Sequence, residues 1–171
     1  MDRRDLFSSI GQSFQGEKLL EVGTIRPPYF KDLLDFNKCI ECEDKWCIGA
    51  CEEDILDADK DGIPLISFAN SGCTYCDDCA IDCDQGVLEV EHKQNIKANI
   101  KIDMIKCMSW HDTLCFSCKD PCLDNAIEFI GMFRPEINLS QCTLCGFCIK
   151  YCPVDAISIT ELKEVKNYET I

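Results

Sequence analysis

Cys142-Thr143-Leu144-Cys145-Gly146-Phe147-Cys148-Ile149-Lys150-Tyr151-Cys152-Pro153 is the stretch on which the fold turns. Two x2 gaps, one x3 gap and a closing proline form the run that binds 4Fe-4S clusters. The spacing has a physical reason. Three cysteines on one tight loop reach three corners of a cubane, and the next begins a helix that points elsewhere, so the fourth cysteine serves a neighbouring cluster. Sites of this kind therefore come in pairs. Working outward, Cys73, Cys76, Cys79 and Cys83 repeat the same spacing. Cys39, Cys42, Cys47 and Cys51 follow C-x2-C-x4-C-x3-C, and Cys107, Cys115, Cys118 and Cys122 follow C-x7-C-x2-C-x3-C. Each of these two keeps the closing x3 gap and widens one internal gap. Four quartets account for all 16 cysteines of the 171-residue chain.

The segments between quartets repeat as well. After Cys51 come Ile55-Leu56, a turn from Asp57 to Gly62, and Ile63-Pro64-Leu65-Ile66-Ser67-Phe68 leading to Cys73, which reads as a hairpin with an Asp-Gly turn. After Cys122 come Ala126-Ile127-Glu128-Phe129-Ile130, a loop through Gly131, and Pro135-Glu136-Ile137-Asn138-Leu139 leading to Cys142. Val87-Leu88-Glu89-Val90 and Ala156-Ile157-Ser158-Ile159 are expected as short strands closing each half. The expected fold is α+β, made of tandem bacterial two-cluster ferredoxin-like modules, small and loop-rich, with an N-terminal extension. The expected divisions are an N-terminal arm over 1–38, a first module over 39–98 and a second over 99–171. With fourth-cysteine crossover, Cys39, Cys42, Cys47 and Cys83 share one cluster, and Cys73, Cys76, Cys79 and Cys51 the next. In the second module, Cys107, Cys115, Cys118 and Cys152 pair off against Cys142, Cys145, Cys148 and Cys122. Four 4Fe-4S clusters per chain are expected, and if one site is empty it is the widened third.

Composition agrees with a fold organised by metal. Hydrophobic residues make up 46% of the chain, but only about 37% once cysteine is set aside, a thin supply for a core. Zinc ribbons separate two C-x2-C knuckles, whereas here four thiols crowd into eleven residues. Disulfides belong to export. After Arg3-Arg4-Asp5-Leu6-Phe7, which is somewhat like a twin-arginine motif, no apolar run follows that could serve as a signal or a membrane span. A cytoplasmic protein that does not span the membrane is expected. The formal net charge is −14, and residues 39–98 carry 15 acidic against 4 basic side chains. Such a surface argues against nucleic acid and suits a redox partner with a basic surface, although acid kept for solubility explains it equally well.

Little else suggests chemistry. His92 and His111 are the two histidines, and His111 lies in the widened gap of the third motif, as a ligand or as a plain loop residue beside four cysteines. Trp46 and Trp110 also lie in widened gaps, where an aromatic either shields a cluster from water or simply packs. The chain has no phosphate loop, nucleotide fingerprint or nucleophile motif, so no catalytic residues are expected and the chain is not expected to be an enzyme by itself.

The Arg-Arg start, Ile25-Arg26-Pro27-Pro28, Gly62-Ile63-Pro64 with Phe68, and Cys73-Thr74-Tyr75-Cys76 together resemble the NapF family of ferredoxin-type proteins, found with periplasmic nitrate reductase systems. The resemblance continues through Cys107-Met108-Ser109-Trp110, Cys115-Phe116-Ser117-Cys118-Lys119-Asp120-Pro121-Cys122 and Cys142-Thr143-Leu144-Cys145-Gly146, spanning nearly the whole chain. It implies a cytoplasmic iron-sulfur protein that binds the catalytic subunit of periplasmic nitrate reductase in its precursor form and assists its maturation. The other class is a soluble electron-transfer polyferredoxin subunit of a membrane oxidoreductase complex. The 38-residue arm leans toward the binding role.

Overall fold

The computed structural model describes residues 24–162. The Arg3-Arg4 start lies outside the described residues. Regular elements are short, as expected where loops must wrap metal sites. The strands are β1 (Leu56–Ala58), β2 (Pro64–Ile66), β3 (Ala98–Ile102), β4 (Ile127–Ile130), β5 (Arg134–Ile137) and β6 (Ile157–Glu161). The helices are single turns, α1 (Trp46–Gly49), α2 (Asp78–Ile81) and α3 (Phe147–Lys150), and 3-10 segments lie at Leu33–Glu41, Val90–His92 and Met108–His111. The result is a small α+β chain of three two-stranded antiparallel sheets, β1 with β2, β3 with β6 and β4 with β5. No helix among the described residues is long and apolar enough to cross a membrane.

Both expected hairpins are present. In the first, Leu56 faces Ile66 and Ala58 faces Pro64. Its turn is held by Asp59, whose carboxylate accepts from the N–H groups of Asp61 and Ile63, and by Gly62 at φ +78°, a conformation that favours glycine. The second hairpin sets Ile127 against Ile137 and turns at Gly131.

The closing strands differ from expectation. Val87-Leu88-Glu89-Val90 is irregular and runs into a 3-10 turn rather than forming a strand. Its neighbour is the segment 25–30, and the cause lies there: Pro27 and Pro28 have no N–H to give a ladder. Two bonds survive, Glu89 N–H to the Tyr29 carbonyl at 2.8 Å and Gln94 N–H to the Pro28 carbonyl at 2.9 Å. In the second half the strand begins at Ile157, and it pairs along its whole length with β3, from Ala98 opposite Glu161 to Ile102 opposite Ile157.

From residue 24 onward, the stretch read as an arm contributes to the core. Tyr29, Phe30 and Phe36 pack with Val87, Leu88, Cys39 and Cys47, while Ile25 joins Ile55, Leu56, Ile66, Phe68 and Ile96. A third group, Ile100, Ile127, Ile157 and Cys148, fills the second half. Cysteines belong to every one of these groups.

Candidate metal centres

Three of the four motifs share one local device. In three motifs the third cysteine rides on a one-turn helix, Cys47 on α1, Cys79 on α2 and Cys148 on α3, and the residue before the helix takes a left-handed conformation: Lys45, Asp77 or Gly146. In the third motif Cys118 lies in a turn instead, with Pro121 three residues on. After each closing cysteine the chain reverses in an identical way. The N–H of the third following residue returns to the cysteine carbonyl, from Asp54 to Cys51, Gly86 to Cys83, Asn125 to Cys122 and Asp155 to Cys152. All four returning residues have positive φ. In three of the four motifs the reversal brings a following backbone N–H onto sulfur. It comes from Leu88, two residues past Gly86, to Cys83 Sγ at 3.4 Å, and from the very next residue in the other two, Ala126 to Cys122 Sγ at 3.3 Å and Ala156 to Cys152 Sγ at 3.2 Å.

The thiols gather by crossover. Cys51, Cys73, Cys76 and Cys79 line one cavity whose other walls include Pro27, Pro28, Tyr29, Ile55 and Leu56. Cys122, Cys142, Cys145 and Cys148 line a second with Ile100, Ile127 and Ile137. Cys107, Cys115, Cys118 and Cys152 line a third with Ile102, Pro153 and Ile157. In the remaining quartet burial pushes the Cys47 thiol up to about 11, and the thiols of Cys83, Cys39 and Cys42 push it further in the same direction. The same pattern holds elsewhere: burial, then neighbouring thiols, carries Cys148 up to about 12. Burial carries Cys118 up to about 11, offset in part by its own backbone N–H and reinforced by Cys107, Cys115 and Cys152. Four thiols gathered this closely, some of them buried, repel one another as thiolates and need a compensating positive centre before all can ionise.

The donor set fits an iron-sulfur cluster. It is all sulfur, its walls are mostly apolar, and backbone N–H groups are aimed at the sulfurs, as such clusters require. Among the described residues, no three His, Cys, Asp or Glu side chains converge tightly enough to hold a single metal ion. His111 is spent elsewhere, its Nε2 donating to the Ile105 carbonyl at 2.8 Å. Trp46 is 59% exposed, whereas Trp110 packs under the Arg134 guanidinium, and its Nε1 is buried without a protein partner, as is Ser109 Oγ in the same widened loop.

Three groups around these centres escaped the sequence reading. Lys45 closes the widened gap of the first motif, its Nζ donating to the carbonyls of Cys39 and Cys42 at 3.0 and 2.9 Å. Two residues after a closing cysteine, Glu53 accepts from Ser71 Oγ and Asp124 from Thr143 Oγ1, each at 2.5 Å. Both carboxylates clamp the loop that opens the following motif. The signal was present in the sequence as an acid two residues past Cys51 and Cys122, each with a hydroxyl residue within two positions of the next motif's first cysteine.

Comparison with known proteins follows the same line. The model for the 4Fe-4S binding domain matches residues 135–158. "Ferredoxin-type protein NapF" of Escherichia coli is 33% identical over 139 residues, covering 78% of this chain and 83% of that protein. The protein of that name from Haemophilus influenzae is 33% identical over 167 residues, covering 94% and 92%. "Ferredoxin-type protein NapG" of Haemophilus influenzae is 25% identical over 172 residues, covering 85% of this chain and 61% of its own length. Iron-sulfur motif, thiol geometry and extended identity agree, and the chain belongs to the NapF family of ferredoxin-type proteins.

Proposed function

We propose that the sixteen cysteines hold four 4Fe-4S clusters in two tandem ferredoxin-like modules, over 39–98 and 99–171, preceded by an arm over 1–38. In this reading the protein works in the cytoplasm, where it binds the catalytic subunit of periplasmic nitrate reductase before export and assists its maturation as an accessory protein. The observation that carries the metal part is the crossover grouping of the thiols. Three cavities are each lined by three cysteines of one motif and the closing cysteine of its partner, and the Cys47 neighbours supply the fourth case. When bound, a cluster supplies one-electron exchange. The chain's own residues anchor it by thiolate, direct N–H groups at sulfur, and exclude water with Tyr29, Ile100 and Ile127. The partner rests on the resemblance to the NapF family, which implies association with a periplasmic nitrate reductase system.

The test is anaerobic purification with iron, sulfide and zinc assays, followed by capture of the unexported catalytic precursor and of the mature, processed subunit. About sixteen irons per chain and capture of the precursor alone are expected. Capture of neither form sinks the maturation reading and leaves the alternative, a soluble electron-transfer polyferredoxin subunit of a membrane oxidoreductase complex. Zinc without sulfide overturns both. The arm is tested by deleting residues 1–23, a cut that leaves Ile25, Tyr29 and Phe30 in the core.

A further inference from the structure

Within each half, the sites adjoin through four-residue spans. Cys47 and Cys51 lie either side of the α1 end and serve the first and second quartets, while Cys79 and Cys83 do the same at α2. Cys118 with Cys122, and Cys148 with Cys152, link the third and fourth. The spacing leaves open how the halves meet.

They meet at the two loops of matching C-x2-C-x2-C spacing. The Cys73 N–H donates to the Cys145 carbonyl at 2.6 Å, and the Tyr75 hydroxyl donates to the Thr143 carbonyl at 2.5 Å while accepting from the Ile96 N–H at 3.1 Å. These two hydrogen bonds tie the loop of one half to the loop of the other. The approach is close enough to demand glycine on both sides. A Cβ at Gly72 would stand 2.5 Å from the Phe147 nitrogen and 2.7 Å from the Cys145 oxygen, and one at Gly146 would stand 2.1 Å from the Phe68 ring. Leu144 and Ile149 of the second half pack into the first half's core beside Cys73 and Cys79. Cys73 and Cys145 also line one groove together with Tyr75 and Thr143.

We propose that this junction makes the chain one line of four sites, in the order first, second, fourth, third, rather than two independent pairs. The matching motifs form the interior of the line. The two widened motifs, which carry Trp46 and Trp110, form its ends. The inference rests on the cluster reading above, and it adds the order, which neither motif spacing nor crossover dictates.

The experiment uses the full chain with Cys42→Ser and Cys115→Ser together, which removes one ligand from each end site, and reads the EPR spectrum of the dithionite-reduced protein. Two clusters should remain, and their signals should be split and fast-relaxing through mutual interaction. Adding Cys148→Ser should abolish that splitting and leave one simple signal. Two superposed, unsplit signals in the double variant, with its eight irons intact, would overturn the order. Should the variant retain a different iron count, amide exchange in the wild-type holoprotein decides: the Cys73 amide and peptides spanning 143–147 should be strongly protected, and exchange at the rate of a free amide would refute the junction. A wild-type chain devoid of iron and sulfide would instead fail the underlying cluster reading, so the two failures are distinct.

Discussion

Arg26 lies in the Ile-Arg-Pro-Pro segment on which the family resemblance leans, and its contacts give that segment a physical role. Its guanidinium donates to the Pro64 carbonyl at 2.8 Å, pairs with Asp59 at 3.0 Å and lies over the Phe36 ring. Asp59 in turn holds the hairpin turn through two N–H groups. Burial works to raise the Asp59 pKa, but the Ile63 N–H, the Arg26 guanidinium and the Asp61 N–H outweigh it and keep the carboxyl below its ordinary value. A group with a depressed folded-state pKa stabilises fully above its unfolded value, and that contribution is lost only as pH falls through the folded one. Asp59→Ala should therefore cost about 2 kcal/mol by anaerobic thermal melting, with the same deficit at pH 5.5 as at pH 8. A deficit that vanishes at pH 5.5 would contradict the assignment. Asp124 offers a second test at this scale. Its charge opposes the ionised thiols of Cys142 and Cys145, behind the larger effect of burial. Asp124→Asn keeps an acceptor for Thr143 and removes the charge, so the potential of the cluster proposed for the fourth quartet should rise, by an amount on the order of tens of millivolts in a redox titration followed by EPR.

Among the elements, the turn after each closing cysteine is the unit that repeats most faithfully, with positive φ at Asp54, Gly86, Asn125 and Asp155. Four different positions chose residues that tolerate the left-handed region, three by a short polar side chain and one by having none. Asn125→Gly should leave stability within a few tenths of a kcal/mol, whereas Asn125→Val should lose about 1–2 kcal/mol and slow iron incorporation at the adjacent fourth site. Thermal melting with iron analysis separates the two. These elements also show where sequence reading succeeds. The hairpins were legible because Asp59, Gly62 and Gly131 mark their turns. The strand expected over Val87-Leu88-Glu89-Val90 failed because its partner carries Pro27 and Pro28, a long-range fact that local alternation does not contain. β3 was overlooked although Ala98-Asn99-Ile100-Lys101-Ile102 alternates cleanly, with Ala98 and Ile100 buried and Asn99 and Lys101 exposed. Its partner is almost sixty residues away. The junction at Gly72 and Gly146 was likewise silent, because a glycine beside a cysteine reads as loop chemistry until the other loop is seen against it.

For the molecule as a whole, the two explanations of its acidity make opposite forecasts. If acid served solubility alone, the charges would act as a diffuse field and partner binding would ignore them. The placement favours a directed field: Glu41, Glu43 and Asp44 are exposed on the first motif, and Asp82 and Asp84 are exposed on either side of Cys83, which completes the same quartet. This places a cluster of carboxylates at one end of the proposed line of sites, where a basic partner would meet it. Steering of that kind appears in the association rate and is screened within about 8 Å at physiological ionic strength. Raising salt from low to physiological strength should slow association with the catalytic precursor by on the order of ten-fold, with little change in dissociation. The triple variant Glu43→Gln, Asp44→Asn, Asp84→Asn should reproduce most of that loss at low salt and blunt the remaining salt dependence. None of the three side chains is a thiol ligand, so the iron content serves as the control. An association rate indifferent to both salt and the triple variant would assign the acid to solubility and remove the basic partner from the account.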